Sequence, residues 1–208
     1  MKKIKLCVFT NGRSSLKHCL KSLNEQSLEL DEEPWIISGK NLTDAFHSIL
    51  HATEYFEYFM KIDDDFMFHP RAIEHMQHKV GSNSGWLLHS FRLWDVEHGK
   101  RIQSVKVYHR RLMLARKIKI KADSRGRIDG PFLKRISGVY KGHSKDHSIV
   151  ALHSHCSIED IQLHNDLWKN GKKANDKKRM SMDEQYDKRE EMIDAYNKGH
   201  NTLFWQPR

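Results

Sequence analysis

Cysteine, proline and glycine are all scarce in this 208-residue sequence, at 3, 4 and 11 residues. The cysteines are Cys7, Cys19 and Cys156, and no CxxC pair occurs. That excludes a zinc knuckle and a thioredoxin-type redox centre. An odd count also argues against a disulfide scaffold. The opening MKKIKLCVFTNGRSS is too short and too interrupted for a signal peptide or a membrane span. The expected setting is therefore reducing and cytoplasmic, and Asn41-Leu42-Thr43 is a sequon without a glycan. So little glycine and proline excludes a fibrous or low-complexity chain, and no internal repeat is present.

What remains is an ordinary globular composition, 38% hydrophobic and 10% aromatic, enough for one core. With 36 Lys+Arg against 27 Asp+Glu the formal net charge is +9. A basic surface attracts phosphates, nucleic acid or anionic head groups without choosing among them. It leaves peripheral membrane contact open.

Ile4 to Thr10 is an apolar, β-rich run followed by the turn residues Asn11-Gly12-Arg13, which predicts a buried strand ending in a loop. Leu16, Cys19, Leu20 and Leu23 recur at helical spacing, with Ser14 or Ser15 available as a cap. Pro34 to Ile37 predicts a second strand. A second helix carries Ala45, Phe46, Ile49 and Leu50, with Thr43 or Asp44 as its cap. Tyr58 to Ile62 predicts a third strand that runs straight into Asp63-Asp64-Asp65. Strand, helix, strand, helix, strand with short links is the pattern of a mostly parallel α/β sheet with flanking helices. Ligands of such sheets bind beyond the carboxyl ends of the strands.

Further along, Pro70 opens a helix to about residue 79, and 86–94 and 104–114 read as an antiparallel pair turning at His98-Gly99. The stretch 117–130 reads as a surface loop. Ser148 to Leu152 is a late strand ending at His153, 157–168 and 183–197 are helical, and 169–179 is a basic linker. Two segments follow: a domain over 1–168, and a linker with a final helix over 169–208 that packs on or extends it.

Three adjacent aspartates at a strand end repel one another, and a cation offsets that repulsion. The expectation is that Asp63 and Asp65 point the same way while Asp64 points elsewhere. Hard carboxylate oxygens suit Mg²⁺ or Mn²⁺, which also bind phosphate oxygens and can neutralise a leaving diphosphate. The other reading of the triplet is an acidic turn. The Phe66-Met67-Phe68 run that follows would hold the loop against the core.

Val8 to Arg13 with Leu16, Cys19-Leu20, Ser22-Leu23 and Gln26 resembles the opening of family-two glycosyltransferases of the GT-A fold. Lys61 to Asp65 with Pro70 downstream resembles that family's DxD loop and the proline after it. The likeness covers about the first 80 residues. It implies a Rossmann-like GT-A sheet with a small antiparallel addition, and a hexosyltransferase that uses a nucleoside-diphosphate sugar and Mn²⁺ or Mg²⁺. Thr10, Asn11 and Arg13 would line the nucleotide, together with Asp63 and Asp64. Asp63 would contact ribose or metal, and Asp65 would bind the metal directly. The family often has an acid after the second strand to hold the base. Here Ser38, Gly39 and Lys40 stand instead, so the base stays unassigned.

Among 15 histidines, His153 and then His155 are the metal candidates, because a strand end fixes their direction and alternation puts them on one face. Similar transferases often set a late histidine opposite the DxD. Asp129, in Asp129-Gly130-Pro131-Phe132-Leu133-Lys134-Arg135, resembles the family's acidic motif and would be the base of an inverting displacement. Asp146, Glu159 and Asp160 are rivals. The acceptor stays open among glycan, lipid-linked and protein hydroxyls. Two other functions compete: a basic nucleic-acid-binding protein or metal nuclease, although no nucleic-acid motif appears, and a non-catalytic relative that only binds a sugar nucleotide.

Overall fold

The computed structural model describes residues 3–30, 32–95, 100–121, 128–136, 138–139 and 141–153. The segments 157–168, 169–179 and 183–197, the boundary at 168/169 and His155 lie outside the described residues.

The strands are β1 (Ile4–Thr10), β2 (Trp35–Ser38), β3 (Tyr58–Asp63), β4 (Phe66–Phe68), β5 (Leu88–Asp95), β6 (Lys100–His109) and β7 (His143–His153). The helices are α1 (Leu16–Asn24), α2 (Leu42–Leu50), α3 (Ala72–Ser82), α4 (Arg110–Ala115) and α5 (Asp129–Ile136). Among the described residues the strands form one sheet in the order β2-β1-β3-β6-β5-β7-β4. β1 pairs in parallel with β2 and β3, and β5 with β7. The β3–β6, β5–β6 and β4–β7 pairs are antiparallel. This is the α/β sheet with flanking helices expected from the sequence; the expectation of a mostly parallel sheet with a small antiparallel addition meets one with three parallel and three antiparallel pairs.

Alternation along the strands splits the core in two. Ile4, Leu6 and Val8 of β1 and Tyr58, Met60 and Ile62 of β3 face one layer, closed by Cys19 and Leu23 of α1 and Ile73, Met76 and Val80 of α3. Cys7 and Phe59 face the other, closed by Phe46 and Ile49 of α2, Met113 of α4, and Phe132 and Ile136 of α5. There Phe59 and Tyr108 stack with ring centroids 5.1 Å apart, and Phe46 stands edge-on to both at 5.7 and 5.2 Å.

Four local expectations are corrected. Asn41, not Thr43 or Asp44, caps α2, its Oδ1 accepting from the Asp44 N–H at 2.9 Å. The Phe66–Phe68 run is a strand rather than a mere anchor. The strand expected to reach 114 stops at His109 and turns into α4. His109 caps the new helix, its Nδ1 accepting from the Leu112 N–H at 3.4 Å, and Arg110 anchors it: its guanidinium donates to the carbonyls of Leu50, Ala52 and Glu54 at 2.5–3.0 Å and lies 4.5 Å from the Phe56 ring centroid. Lastly, the supposed loop through 130 gives way to α5 at Asp129.

One connection shapes the site. Only Asp64 and Asp65 separate β3 from β4, so the facing ends of those strands are at most about 11 Å apart. In hydrogen-bonding order, however, β4 lies at the far edge of the sheet from β2, four places from β3. The sheet therefore curls until its β7–β4 edge returns beneath the end of β3.

Candidate active site

The curl brings the carboxyl ends of β1, β3 and β7 to one cleft of about 710 Å³, lined by Phe9, Thr10, Asn11, Arg13, Ile37, Lys40, Leu42, Asp63, Asp64, Asp65 and His153. Thr10, Asn11, Arg13, the three aspartates and His153 are thus brought together. Asp129 opens α5, but its side chain lies outside the described residues, so its distance to the cleft is not fixed. Asp146 is far from free to act as a base. Burial works against its ionisation, but His75 at 3.3 Å and the Ser148 N–H at 2.8 Å prevail and hold its carboxyl well below the ordinary range. A second cavity, about 450 Å³, sits at the opposite ends of β1 and β3 around Lys5, Glu32 and Glu54.

The carboxylate loop is clamped from below by α1 and the residues just after it. Ser22 Oγ accepts from the Phe68 N–H at 3.0 Å. Gln26 donates to the His69 carbonyl at 3.0 Å and accepts from the Ile73 N–H at 3.0 Å. The Cys19 thiol donates to the Asp63 carbonyl across 3.8 Å. Cys19, Ser22 and Gln26 of the opening motif therefore serve to fix the acids in place.

The aspartates divide their partners differently from the sequence expectation. Asp64 and Asp65, 3% and 6% exposed, share Arg13: its Nη1 is 2.8 Å from Asp65 Oδ2 and 3.7 Å from Asp64 Oδ1. Asp64 Oδ2 also accepts from Thr10 Oγ1 at 2.6 Å, and that oxygen accepts the Gly12 N–H at 2.9 Å. Gly12 has φ +80°, a left-handed conformation that any side chain disfavours. Asp63, on the same strand face as Lys61, pairs with its ammonium, which also lies over the Phe9 ring. Backbone alternation sends 63 and 64 apart, and the tight β3–β4 link turns 65 back toward 64.

His153 faces Asp65 from β7, with Nε2 3.3 Å from Oδ2. Its Nδ1 is 3.5 Å from Oδ2 of Asp95, the last residue of β5. Burial lowers the imidazole pKa, but the charge of Asp65, its hydrogen bond and the contact with Asp95 outweigh this and hold it well above its ordinary value. Asp95 was invisible to sequence reasoning. It ends a run read only as a strand, and its meeting with His153 depends on the parallel β5–β7 register.

Among the described residues no group of three or more His, Cys, Asp or Glu stands in a metal-holding arrangement. The local donor set still fits a hard divalent ion of the kind that takes few protein ligands. Asp65 Oδ2 and His153 Nε2, 3.3 Å apart, are close to the roughly 3 Å edge of an octahedron with bonds near 2.1 Å. Mg²⁺ commonly uses one or two carboxylates and completes its shell with phosphate oxygens and water. Two acceptors at that distance need a cation between them, and without a metal the imidazole proton fills that role.

No protein-family model and no curated protein sequence matches this chain. Its fold is similar to that of several solved structures. TarS from S. aureus, residues 1–349, superposes with TM-score 0.59 at 10% identity, over 98% of this chain and 74% of that one. Glucosyl-3-phosphoglycerate synthase from Mycobacterium tuberculosis, solved with Mn²⁺, UDP and phosphoglyceric acid, gives 0.53 at 12% identity, over 84% and 80%. CMP:2-keto-3-deoxy-manno-octonic acid synthetase, solved with CTP, gives 0.52 at 8% identity, over 81% and 99%. At such identities the likeness is one of fold. The fold is that of GT-A-like nucleotide-sugar transferases.

Proposed function

We propose that this protein is a metal-dependent glycosyltransferase that moves a hexosyl group from a nucleoside-diphosphate sugar to an acceptor hydroxyl. The observation that carries this reading is the meeting of Thr10, Asn11, Arg13, Asp63, Asp64, Asp65 and His153 around one cleft at the carboxyl ends of the strands. Solved neighbours of the same fold that hold UDP with Mn²⁺, or CTP, support a nucleotide-sugar transferase in general. They do not favour the nucleic-acid or nuclease alternatives.

In this reading Asp63-Asp64-Asp65 is a DxD motif of the family-two type. Asp65 and His153 hold Mn²⁺ or Mg²⁺, with Asp63 turned to the ribose or the ion. The ion supplies Lewis-acid stabilisation of the departing diphosphate. Arg13, only partly buried at 39% side-chain exposure, can swing from the aspartates to the diphosphate, where its planar fork suits phosphate oxygens. Thr10 and the Gly12 turn keep Asp64 fixed, so the loop enters the reaction already organised. Phe9, Ile37 and Leu42 offer an apolar wall for the base, and Lys40 at the rim is a donor where the family often has an acid. Asp129 takes the acceptor proton as base of a single inverting displacement. Its helix packs through Phe132 and Ile136 in the same core layer as Phe9, Ile37 and Leu42. The reaction is cytoplasmic, at an acceptor that is a glycan, a lipid-linked sugar or a protein.

Residues 100–121 carry nine Lys or Arg and no acid; Lys106 is buried and Arg110 is bonded to three carbonyls, and the charge of this stretch supports contact with an anionic surface or membrane at the periphery. No helix among the described residues is long and apolar enough to cross a membrane.

Thermal-shift screening of nucleoside diphosphates and their sugars, with and without Mn²⁺, tests the reading. Stabilisation by one nucleotide only when metal is present is expected, and Asp65→Asn should abolish both that shift and sugar transfer. Full activity in Asp65→Asn would refute the assignment. Stabilisation by a nucleoside triphosphate with turnover of a sugar phosphate would instead point to nucleotidyl transfer.

A further inference from the structure

A second group of polar side chains stands on the sheet beside the cleft. Phe91 and Leu93 of β5 point into the core layer of Ile4 and Tyr58. Alternation sends Arg92 and Trp94 to the opposite face. That face carries Phe9 and its register partner Asp63, which line the cleft. β3 and β5 run the same way, since both pair antiparallel with the β6 strand between them. Lys61, Lys106 and Ser90 form one row across the three strands. Two strand spacings put Ser90 about 10 Å from Lys61. Asp63 and Arg92 each lie two residues beyond that row, toward the carboxyl ends. α5, which opens with the proposed base, packs on the same face through Phe132 against Tyr108.

The strand pairing slips at Arg92 on both sides, toward β6 and toward β7. Such irregularities re-aim side chains and gather beside active sites. Gln103 of β6 holds this one in place, its amide donating to the carbonyls of Ser90 and Asp146 at 2.5 and 3.0 Å. Arg92 is half-buried, and Arg101 is the exposed register partner of Trp94 on β6. Among the described residues neither guanidinium has a carboxylate or a hydrogen-bond partner. The Trp94 indole N–H, two residues from Arg92 and across from Arg101, is buried and also has no partner there. Buried donors and partly desolvated cations are ordinarily satisfied. All three groups want an acceptor, and an anionic ligand lying over the indole would supply it.

We propose that Arg92, Trp94 and Arg101 form the acceptor subsite, and that the acceptor carries a phosphate beside its sugar ring. The indole offers an apolar plane for the ring. The guanidiniums stand on two strands, and a phosphate has enough oxygens to accept from both, whereas a carboxylate fills one fork. An acceptor held there lies next to Asp63 and the donor cleft. The acceptor role rests on the function proposed above, whereas affinity for a sugar phosphate does not.

Two measurements on the full-length chain separate these parts. The first is titration calorimetry without metal or nucleotide, with glucose 6-phosphate as the probe and glucose, inorganic phosphate and glucuronate as comparisons. Glucose 6-phosphate should bind more tightly than each of the others, and less tightly as salt is added. Arg92→Gln should weaken it by about tenfold and Trp94→Phe, which keeps a ring but no N–H, by about fivefold. Arg101→Gln, whose exposed charge solvent screens, should cost about twofold. Arg92→Gln breaks no bond in the fold, so its melting temperature should match the wild type while its affinity falls. Wild-type affinity in Arg92→Gln and Trp94→Phe, or no preference for glucose 6-phosphate over glucose and inorganic phosphate, overturns the subsite. Tighter binding of glucuronate overturns the assignment of phosphate.

The second repeats the titration in the presence of Mn²⁺ and whichever nucleoside diphosphate stabilises the protein with that metal. Probe and nucleotide should bind together. Displacement of glucose 6-phosphate by the nucleotide puts the two arginines in the donor pocket and overturns the acceptor role. If no nucleotide stabilises the wild type, the glycosyltransferase reading fails instead, and the metal-free titrations decide the sugar-phosphate site by themselves.

Discussion

A pH titration of stability offers the sharpest test of the buried sheet. His89 lies near the start of β5 and is 3% exposed, with no hydrogen-bond partner for Nε2. Burial, followed by the charges of His109 and His143, pushes its pKa down from 6.5 to about 4. In the unfolded chain the same ring titrates near 6.5, so the unfolded state takes up a proton first as pH falls. Stability is complete above pH 6.5, falls between 6.5 and 4, and then levels off. At 1.36 kcal/mol per pH unit the loss reaches about 3 kcal/mol by pH 4. His153, shifted the other way, adds no slope in this window: its stabilisation is complete below 6.5 and is lost only as pH rises through its raised folded value. His143, lowered by burial and by Lys145 and Lys106, adds to the decline. Urea denaturation at pH 7.5, 6.5, 5.5 and 4.5 would measure the curve. The variant His89→Leu, which keeps an apolar volume and removes the titration, should be flatter by most of that amount. Parallel wild-type and variant curves would refute a neutral buried His89.

Three further outcomes are expected. Gly12→Ala meets no atom within 4 Å, so its cost is conformational, about 1 kcal/mol from the left-handed backbone, and nucleotide-induced thermal shifts should shrink because the Thr10–Asp64 turn is disturbed. Gly142→Ala is different in kind: an added Cβ would sit 2.1 Å from the Ile136 carbonyl oxygen, so the turn before β7 must move and the melting temperature should fall by several degrees or soluble protein be lost. Asp146→Asn removes a structural ion pair with His75 and Lys79 and should cost about 1–3 kcal/mol in denaturation while kcat for transfer stays unchanged, whereas an inactive but folded variant would restore Asp146 as a base.

Much of the architecture was legible because it is local. The apolar run Ile4–Thr10 and its Gly12 turn, the helical spacing of Leu16, Cys19 and Leu23, and the strand running into three aspartates each declare themselves within a few residues. The rule that parallel strands open their ligand site at the carboxyl ends then brings Thr10 and Asp63 together without coordinates.

What needed the tertiary structure is every decision made by a distant partner. The start of α4 is anchored by Arg110, which bonds three carbonyls at and just after the end of α2, and no window around residue 110 contains them. The three aspartates look equivalent in sequence, yet Arg13, Thr10 and Lys61 give each a different charge environment. His153 and Asp95 meet because β5 and β7 lie parallel, in the register that follows the irregularity at Arg92/Leu93, and His153 meets Asp65 because the short β3–β4 link curls the sheet. Periodicity records which side of a strand a residue faces. Which residue from the far end of the chain it then faces is set by strand order and register, and those are fixed by the packing of the whole core.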